Sequence, residues 1–498
     1  MAGSLRAALR NALAGLAAGA PARVFVLQGV DAPDALDVLR LRPDIVLVDT
    51  PRSATVLLVA GRLPEAMHEP ARRAHDAMAE PRATVWWTLP AGDDAMLPFI
   101  EATVVHAESD GSPADIATVA RLLARTQSDL LRATRASEPA LLADAEPAPW
   151  RGVGPYGQGG TGMTGGVPYG RPLAGRAPDR DGLALDQLPV RVGPFFAPFP
   201  AGLVLDVTLQ GDVIQSVVVP GNAFVETGDG GTLLRVTNDP FHAALGEPVR
   251  IADLERRRAR HHLRWLAGAL RVHGLDALGQ RTLALAVSLA DGVPEGAAGD
   301  VAALGRLLER TRGLGWATAD VGVIDSALLA GRGLGPVARA AGLAEDARLD
   351  DPAYDVLGYA PVLDKRDAGG DARARWRQRL GEAIQSVELA ARAGDRRTGG
   401  EGRPVEGVRG RLSTDAMRES PSAVLLALLP DLLRGQEWGD AVTTIVSLDI
   451  DVREAARAPG AAPLSPPPSP PPTGGMDGMA GMSGKGDHPQ GEHAMAGM

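Results

Sequence analysis

Between residues 21 and 145, short β-rich apolar runs alternate with helical stretches, and few chain patterns restrict a fold more. The runs are RVFVLQ (23–28), DIVLVD (44–49), ATVLLVAG (54–61) and ATVWWTL (83–89). Two stretches, EAMHEPARRAHDAM (65–78) and SPADIATVARLLARTQSDLLRAT (112–134), read as helices between and after them. Strands joined through helices return in the same direction, so 21–145 is expected to be an α/β domain on a parallel sheet. A tight glycine turn, Gln28 to Asp34, closes the first run. That is a strand's carboxyl end, where open sheets place ligands. Ahead of it, 1–20 carries Arg6 and Arg10 before a short Ala/Leu run, a faint imitation of a signal peptide. The run is brief and mostly Ala and Gly, so an N-terminal helix leading into the first strand is expected.

The rhythm stops at GVGPYGQGGTGMTGGVPYG (152–170). This stretch lacks the Lys-Ser/Thr of a phosphate loop and follows no clear strand, so 146–188 reads as a Gly-rich linker. Strands return after 189, with LVLDVTLQGDVIQSVVVPG (203–221) forming a hairpin through Gln210-Gly211-Asp212. From about 247 the pattern is helical: Ile251, Leu254, Leu263, Leu266 and Leu270 keep helical spacing, with Arg and His on the other faces. That basic face either meets anionic partners or is a solvated, ion-paired surface. The expectation for 189–455 is an α+β domain, a β-hairpin region plus a helical bundle. APGAAPLSPPPSPPPTGG (458–475) is a stiff spacer, and 456–498 as a whole is a Pro-rich spacer with a Met/His-rich tail that cannot form a core.

With 498 residues, 45% of them hydrophobic, the chain can bury more than one core. A net charge of −10 argues against nucleic acid as a partner, because phosphate binding needs concentrated positive charge. There is no cysteine, which excludes disulfides, thiolate zinc sites, cysteine-held Fe–S clusters and thiolate nucleophiles. No apolar run reaches the length of a transmembrane helix.

The chain carries two family resemblances. Over 331–389 the chain shows Gly335-Pro336, Arg339, Gly342, Asp346, Arg348, Pro352, Tyr354-Asp355, Gly370-Asp371, Arg375 and Gln385-Ser386. Their order and spacing resemble the large-subunit family shared by NADH-quinone oxidoreductase (complex I) and the energy-converting [NiFe] hydrogenases. PVEGVRGRL (404–412) is similar to that family's V-E-x-x-R-G-E turn, IVSLDIDVRE (445–454) to its closing strand, and VGPFFAPFPAGLVLDVTLQGDVI to its opening hairpin. Glu255, Arg258, His261, His262 and Leu263 match the helix pattern E-x-x-R-x-x-N-H-L. Upstream, TPRSATVLLVAGRLPEAMHEPARRAHDAMAEPRATVWW (50–87) and LQGVDAPDALDV (27–38) resemble the small subunit of the same enzymes. The resemblance implies a fusion of small-subunit-like and large-subunit-like halves, joined by the Gly-rich linker.

The departures matter as much. The small subunit's cluster-ligand positions fall on Val30 and Pro33, and the closing C-x-x-C of the hydrogenases falls on Asp451 and Glu454. The first C-x-x-C segment is deleted between His242 and Glu255, and the histidine implicated in quinone protonation is matched near Phe195–Phe196. Neither an Fe–S cluster nor nickel is therefore expected in the folded body. The resemblance implies a cytoplasmic, peripheral subunit at the inner face of the cell membrane. Its expected partners are ion-translocating, antiporter-like membrane subunits and other complex-I-like peripheral subunits, with this chain as a scaffold and coupling element. An alternative keeps quinone, or another flat ligand, in the cleft between the halves, with clusters supplied by partners. A third is an enzyme of unrelated chemistry.

Three residues are candidates for proton chemistry, each with a plainer reading. Asp451 and Glu454 either work in one cleft or are surface carboxylates at a strand end. His262 is either a proton carrier in the cleft or a structural histidine of the bundle. In the tail, Met476, Met479 and Met482 with His488 and His493 suit Cu(I) through thioether and imidazole, or the tail carries no ligand at all.

Overall fold

In the computed structural model the described residues are 12–13, 15–33, 36–88, 102–106, 113–133, 175–179, 182–226, 239–364, 369–415 and 419–467. The tail candidates Met476, Met479, Met482, His488 and His493 lie outside them, as do most of the glycine-rich stretch and the first eleven residues. Of the expected N-terminal helix, residues 12–13 and 15–18 are described, and they are helical.

The alternating runs form β1 (Ala22–Gln28), β2 (Ile45–Leu47), β3 (Val56–Ala60) and β4 (Ala83–Thr88), joined by β5 (Ala102–His106). All are parallel, in the order β2-β1-β3-β4-β5. Side chains alternate across a sheet, and β3 shows the result. Leu57 and Val59 enter one core while Val56, Leu58 and Ala60 enter the other. The second core is closed by Ile116, Val119, Ala120 and Leu123 of the helix Pro113–Arg132. The first is closed by residues from much later in the chain, among them Phe199, Leu203, Phe224, Ile445, Leu448 and Val452. One apolar core therefore joins the parallel sheet to the C-terminal half. The described residues of Met1–Pro139 and of Arg176–Ser465 accordingly form one compact unit.

Strand signals after 189 become β8 (Leu205–Gln210) and β9 (Val213–Val218), an antiparallel hairpin turning at Gly211-Asp212. The sheet extends further than expected. Gly175–Pro178 (β6) and Ala184–Val192 (β7) complete a four-stranded sheet in the order β6-β7-β8-β9. The end of the segment read as linker is thus strand. Leu185 and Leu188 are exposed, so no burial rhythm marks β7, and its ladder to β8 defines it instead.

Two 22-residue helices, Ile251–Val272 and Ala372–Ala393, form the centre of the bundle, flanked by Asp276–Ser288 and Ala297–Thr311. The run 445–454 is not a closing strand. A helix spans Trp438–Leu448, Asp449 turns left-handed (φ 56°), and a short helix follows at Val452–Ala455. Ala441, Ile445 and Leu448, at helical spacing, are all buried, and that packing overrides the β-branched composition. Among the described residues, no helix is long and apolar enough to cross a membrane.

Candidate functional site

At the sheet's carboxyl edge, β1 and β3 are neighbours whose connections leave in opposite directions, the crevice where such folds place ligands. Here the crevice is filled by protein. Gly29 N–H donates to the Ala60 carbonyl and Val30 N–H to that of Arg62. A Cβ on Gly29 would lie 2.1 Å from the Arg62 carbonyl oxygen, so only glycine lets the two turns meet. From the far end of the chain Arg453 donates to the Gly29 carbonyl through Nε (3.2 Å) and Nη2 (2.7 Å). Its guanidinium also lies over the Phe224 ring at 5.0 Å.

Val30 lines a cavity of about 100 Å³ beside Asp451, Glu454, Arg409 and His242. The structure thus brings together the Val30, Asp451 and Glu454 positions singled out in the sequence; Pro33 is not in the wall. Neither carboxylate stands at a strand end. Asp451 caps the helix Val452–Ala455, accepting from the N–H groups of Arg453 and Glu454. Arg409 collects the charge: Nη1 is 3.3 Å from Asp451 Oδ2 and 3.6 Å from Glu454 Oε2, and Nε is 3.6 Å from Asp449 Oδ1. Burial and the neighbouring Asp451 push Glu454 above the usual carboxylate range, against the pull of Arg409.

Beyond Arg409 the ion pairs continue into the bundle. The Asp449 carboxylate accepts from His261 Nε2 (2.7 Å) and lies 3.1 Å from Arg379 Nη1. Burial opposes its charge, yet His261, Arg409 and Arg379 hold it well below its ordinary value. Arg379 lies 4.8 Å over the Trp265 ring and donates to His262 Nδ1 at 3.3 Å. With Nδ1 accepting, the proton of His262 sits on Nε2, 3.3 Å from Glu382 Oε2 but out of line for a hydrogen bond. Burial drives the His262 imidazole down to about 3, so it is neutral near pH 7. It lines neither this cavity nor the larger cleft at Phe196. His262 is buried on the helix Ile251–Val272.

At the centre is Arg339, fully buried. It grips Glu382 with two bonds (2.7 and 3.1 Å) and reaches Asp346 (2.8 Å) and Glu406 (2.9 Å) through Nη1. Arg348 forks onto Asp346 (3.0 and 2.8 Å) and touches both oxygens of Glu255 at 3.2 Å. Glu255 also accepts from Tyr354 Oη (2.6 Å) and Ser386 Oγ (2.7 Å), with Arg258 Nε 3.3 Å away. Arg339, Asp346, Arg348, Tyr354 and Ser386 are thus a single buried polar network. Gly335 and Gly410 let its backbone close: a Cβ on Gly335 would come within 2.7 Å of Gly410 Cα.

In sequence, Asp449 and Glu382 lay within the matched stretches 445–454 and 331–389 but were not singled out. His261, Arg339 and Glu406 stood inside matched motifs but read as markers of resemblance and not as a charge network. Among the described residues, no group of three or more histidine and carboxylate side chains is placed to hold a metal ion. The positions where the resemblance puts metal ligands do not fit a metal centre: valine and proline offer no donor, and the two carboxylates are taken by Arg409.

A larger cleft of about 830 Å³ opens between the sheet's Leu36–Leu41 turn, the Phe196–Pro200 loop and the helices Ile251–Val272 and Trp438–Leu448. Phe196, at the matched quinone-histidine position, lines it beside Phe199 and Trp438, whose ring centroids lie 4.9 and 6.0 Å from its own.

No family model matches the chain, and no curated protein sequence matches it significantly. Among solved structures, one chain of the membrane-bound sulfane sulfur reductase (MBS), an archaeal respiratory membrane complex, is similar. Its TM-score is 0.38 at 16% identity, over 54% of this chain and 98% of that one.

Proposed function

We propose that this protein is a redox-inactive peripheral subunit of a complex-I-like membrane assembly, a scaffold and coupling element on ion-translocating, antiporter-like subunits. The observation that carries the reading is the Arg409 cluster. At positions where the resemblance puts thiolate ligands, Asp451 and Glu454 are paired with a guanidinium, and Arg453 ties this corner to Gly29 of the parallel sheet. Ion pairs and packing hold the two halves where metal ligands would otherwise stand. None of these side chains carries an electron between partners. The motif residues remain because they build the buried network, which preserves a docking shape without redox chemistry. The resemblance puts the protein at the cytoplasmic face, with other complex-I-like peripheral subunits beside it.

Affinity isolation of the tagged chain from gently solubilised membranes tests this. Co-purification with polytopic subunits, with no redox-active centre assigned to this chain, is expected. A soluble, partner-free protein, or one whose own spectrum changes on reduction, overturns the reading.

A second reading, a flat ligand such as quinone between the halves, is favoured by the aromatic wall of the 830 Å³ cleft at Phe196. In the tail, Met476, Met479, Met482, His488 and His493 are proposed as Cu(I) ligands independent of the body.

A further inference from the structure

The large cleft has an aromatic wall and, in the same lining, a pair of under-neutralised guanidinium groups. Arg40 and Arg271 both line it. Arg40, half-buried, makes one long side-chain bond, Nη1 to the Leu47 carbonyl at 3.5 Å, and among the described residues no carboxylate lies within ion-pair distance of it. Burial and the nearby charge of Arg271 pull the Arg40 guanidinium down to about 10. Among the described residues Arg271 has a loose partner, Asp276 at 3.7 Å, whose carboxylate is mostly in water.

Asp49, Asp37 and Asp276 offset part of the Arg40 charge, but among the described residues none reaches ion-pair distance of it. Asp37 is held by both arms of Arg264 (2.7 Å each), and Asp449 by His261 and Arg379. Asp49 and Asp440 are exposed. Two cations sharing a desolvated wall cost free energy that an incoming anion would recover, and a guanidinium matches a carboxylate in two parallel bonds. Opposite chemistry is present in the same cavity: Phe196, Phe199 and Trp438 form an edge-and-tilt cluster suited to a planar ring. A volume of about 830 Å³ accommodates a ligand of two or more fused rings.

We infer that this cleft binds a planar aromatic monoanion, its carboxylate on Arg40 and Arg271 and its ring against Phe196, Phe199 and Trp438. The inference does not depend on the scaffold reading, and it differs from neutral quinone in requiring the anionic head.

The test is calorimetric titration of the full-length protein with naphthalene-2-carboxylate and with its neutral isostere naphthalene-2-carboxamide at low ionic strength. The carboxylate should bind at least about tenfold more tightly, as a charge-assisted contact provides. Arg40→Gln and Arg271→Gln should each erase that preference, and Trp438→Ala should weaken both ligands. Arg250→Gln, at an exposed arginine outside the cleft, should change neither. Thermal melts of each variant separate lost binding from lost folding. Equal affinity for acid and amide, no binding of either at millimolar concentration, or an undiminished preference in both cleft-arginine variants overturns the inference.

Discussion

Arg453 donates to the carbonyl of Gly29 at 2.7 Å although 424 positions separate them, and the bond fastens the C-terminal corner to the switch point of the parallel sheet. Replacing Arg453 with Ala removes two charged hydrogen bonds and the contact over Phe224. A loss of about 1.5–3 kcal/mol is expected in denaturant unfolding. Arg250→Ala, which breaks an exposed pair with Asp395, should cost less than about 1 kcal/mol. Equal losses in the two variants would show that Arg453 is no clamp.

Arg339 neutralises Asp346, Glu382 and Glu406 from one buried position. Arg339→Met leaves Glu382 and Glu406 without their guanidinium, while Asp346 keeps Arg348, and should destabilise the protein by about 3–5 kcal/mol. Adding Glu382→Gln to Arg339→Met should recover part of the loss. A thermal midpoint unchanged by Arg339→Met would rule out the network as a stability element.

Stability should fall in acid in two stages. His262 titrates near 3 when folded and near its ordinary value when unfolded, so below about pH 6.5 the unfolded chain takes up a proton that the folded one refuses. That contribution is full above pH 6.5 and declines by roughly 1.4 kcal/mol per pH unit down to about pH 3. Glu382 is held low despite its burial, chiefly by Arg339, and Asp449 by His261, Arg409 and Arg379. Their stabilisation, present above the ordinary carboxylate range, is lost as pH falls through their depressed values. Urea unfolding from pH 7.5 to 4 should show a shallower slope in His262→Gln than in the wild type between pH 6.5 and 4.5. Identical slopes would mean that His262 is protonated in the folded protein.

Iron and nickel should be absent at stoichiometric levels from protein purified anaerobically. Elemental analysis decides this directly, and one iron or nickel per chain would sink the scaffold reading.

Binding to the tail should be selective for Cu(I), because Met476, Met479 and Met482 offer thioether sulfur while hard cations need oxygen-rich sites. Competition with a Cu(I) chelator should show binding that disappears on removing 474–498, with the body's melting point unchanged. No detectable binding would leave the tail without chemistry.

Local pattern specified β1 to β4 of the parallel sheet, as short apolar runs, and the β8–β9 hairpin and the long helix from Ile251, as a period readable in a short window, but not β5. Motif spacing marked Arg339, Asp346, Arg348 and Tyr354, and composition excluded thiolate chemistry. Tertiary structure decided the rest. β7 buries too little to show a rhythm and exists through its ladder with β8. Residues 438–448 wind into a helix because Ala441, Ile445 and Leu448 must face the shared core, whatever their β-branched neighbours prefer. The pairing of Arg409 with Asp451 and Glu454, and of Arg453 with Gly29, depends on how distant segments pack, since a charge selects its partner by proximity in space and no spacing along the chain encodes that.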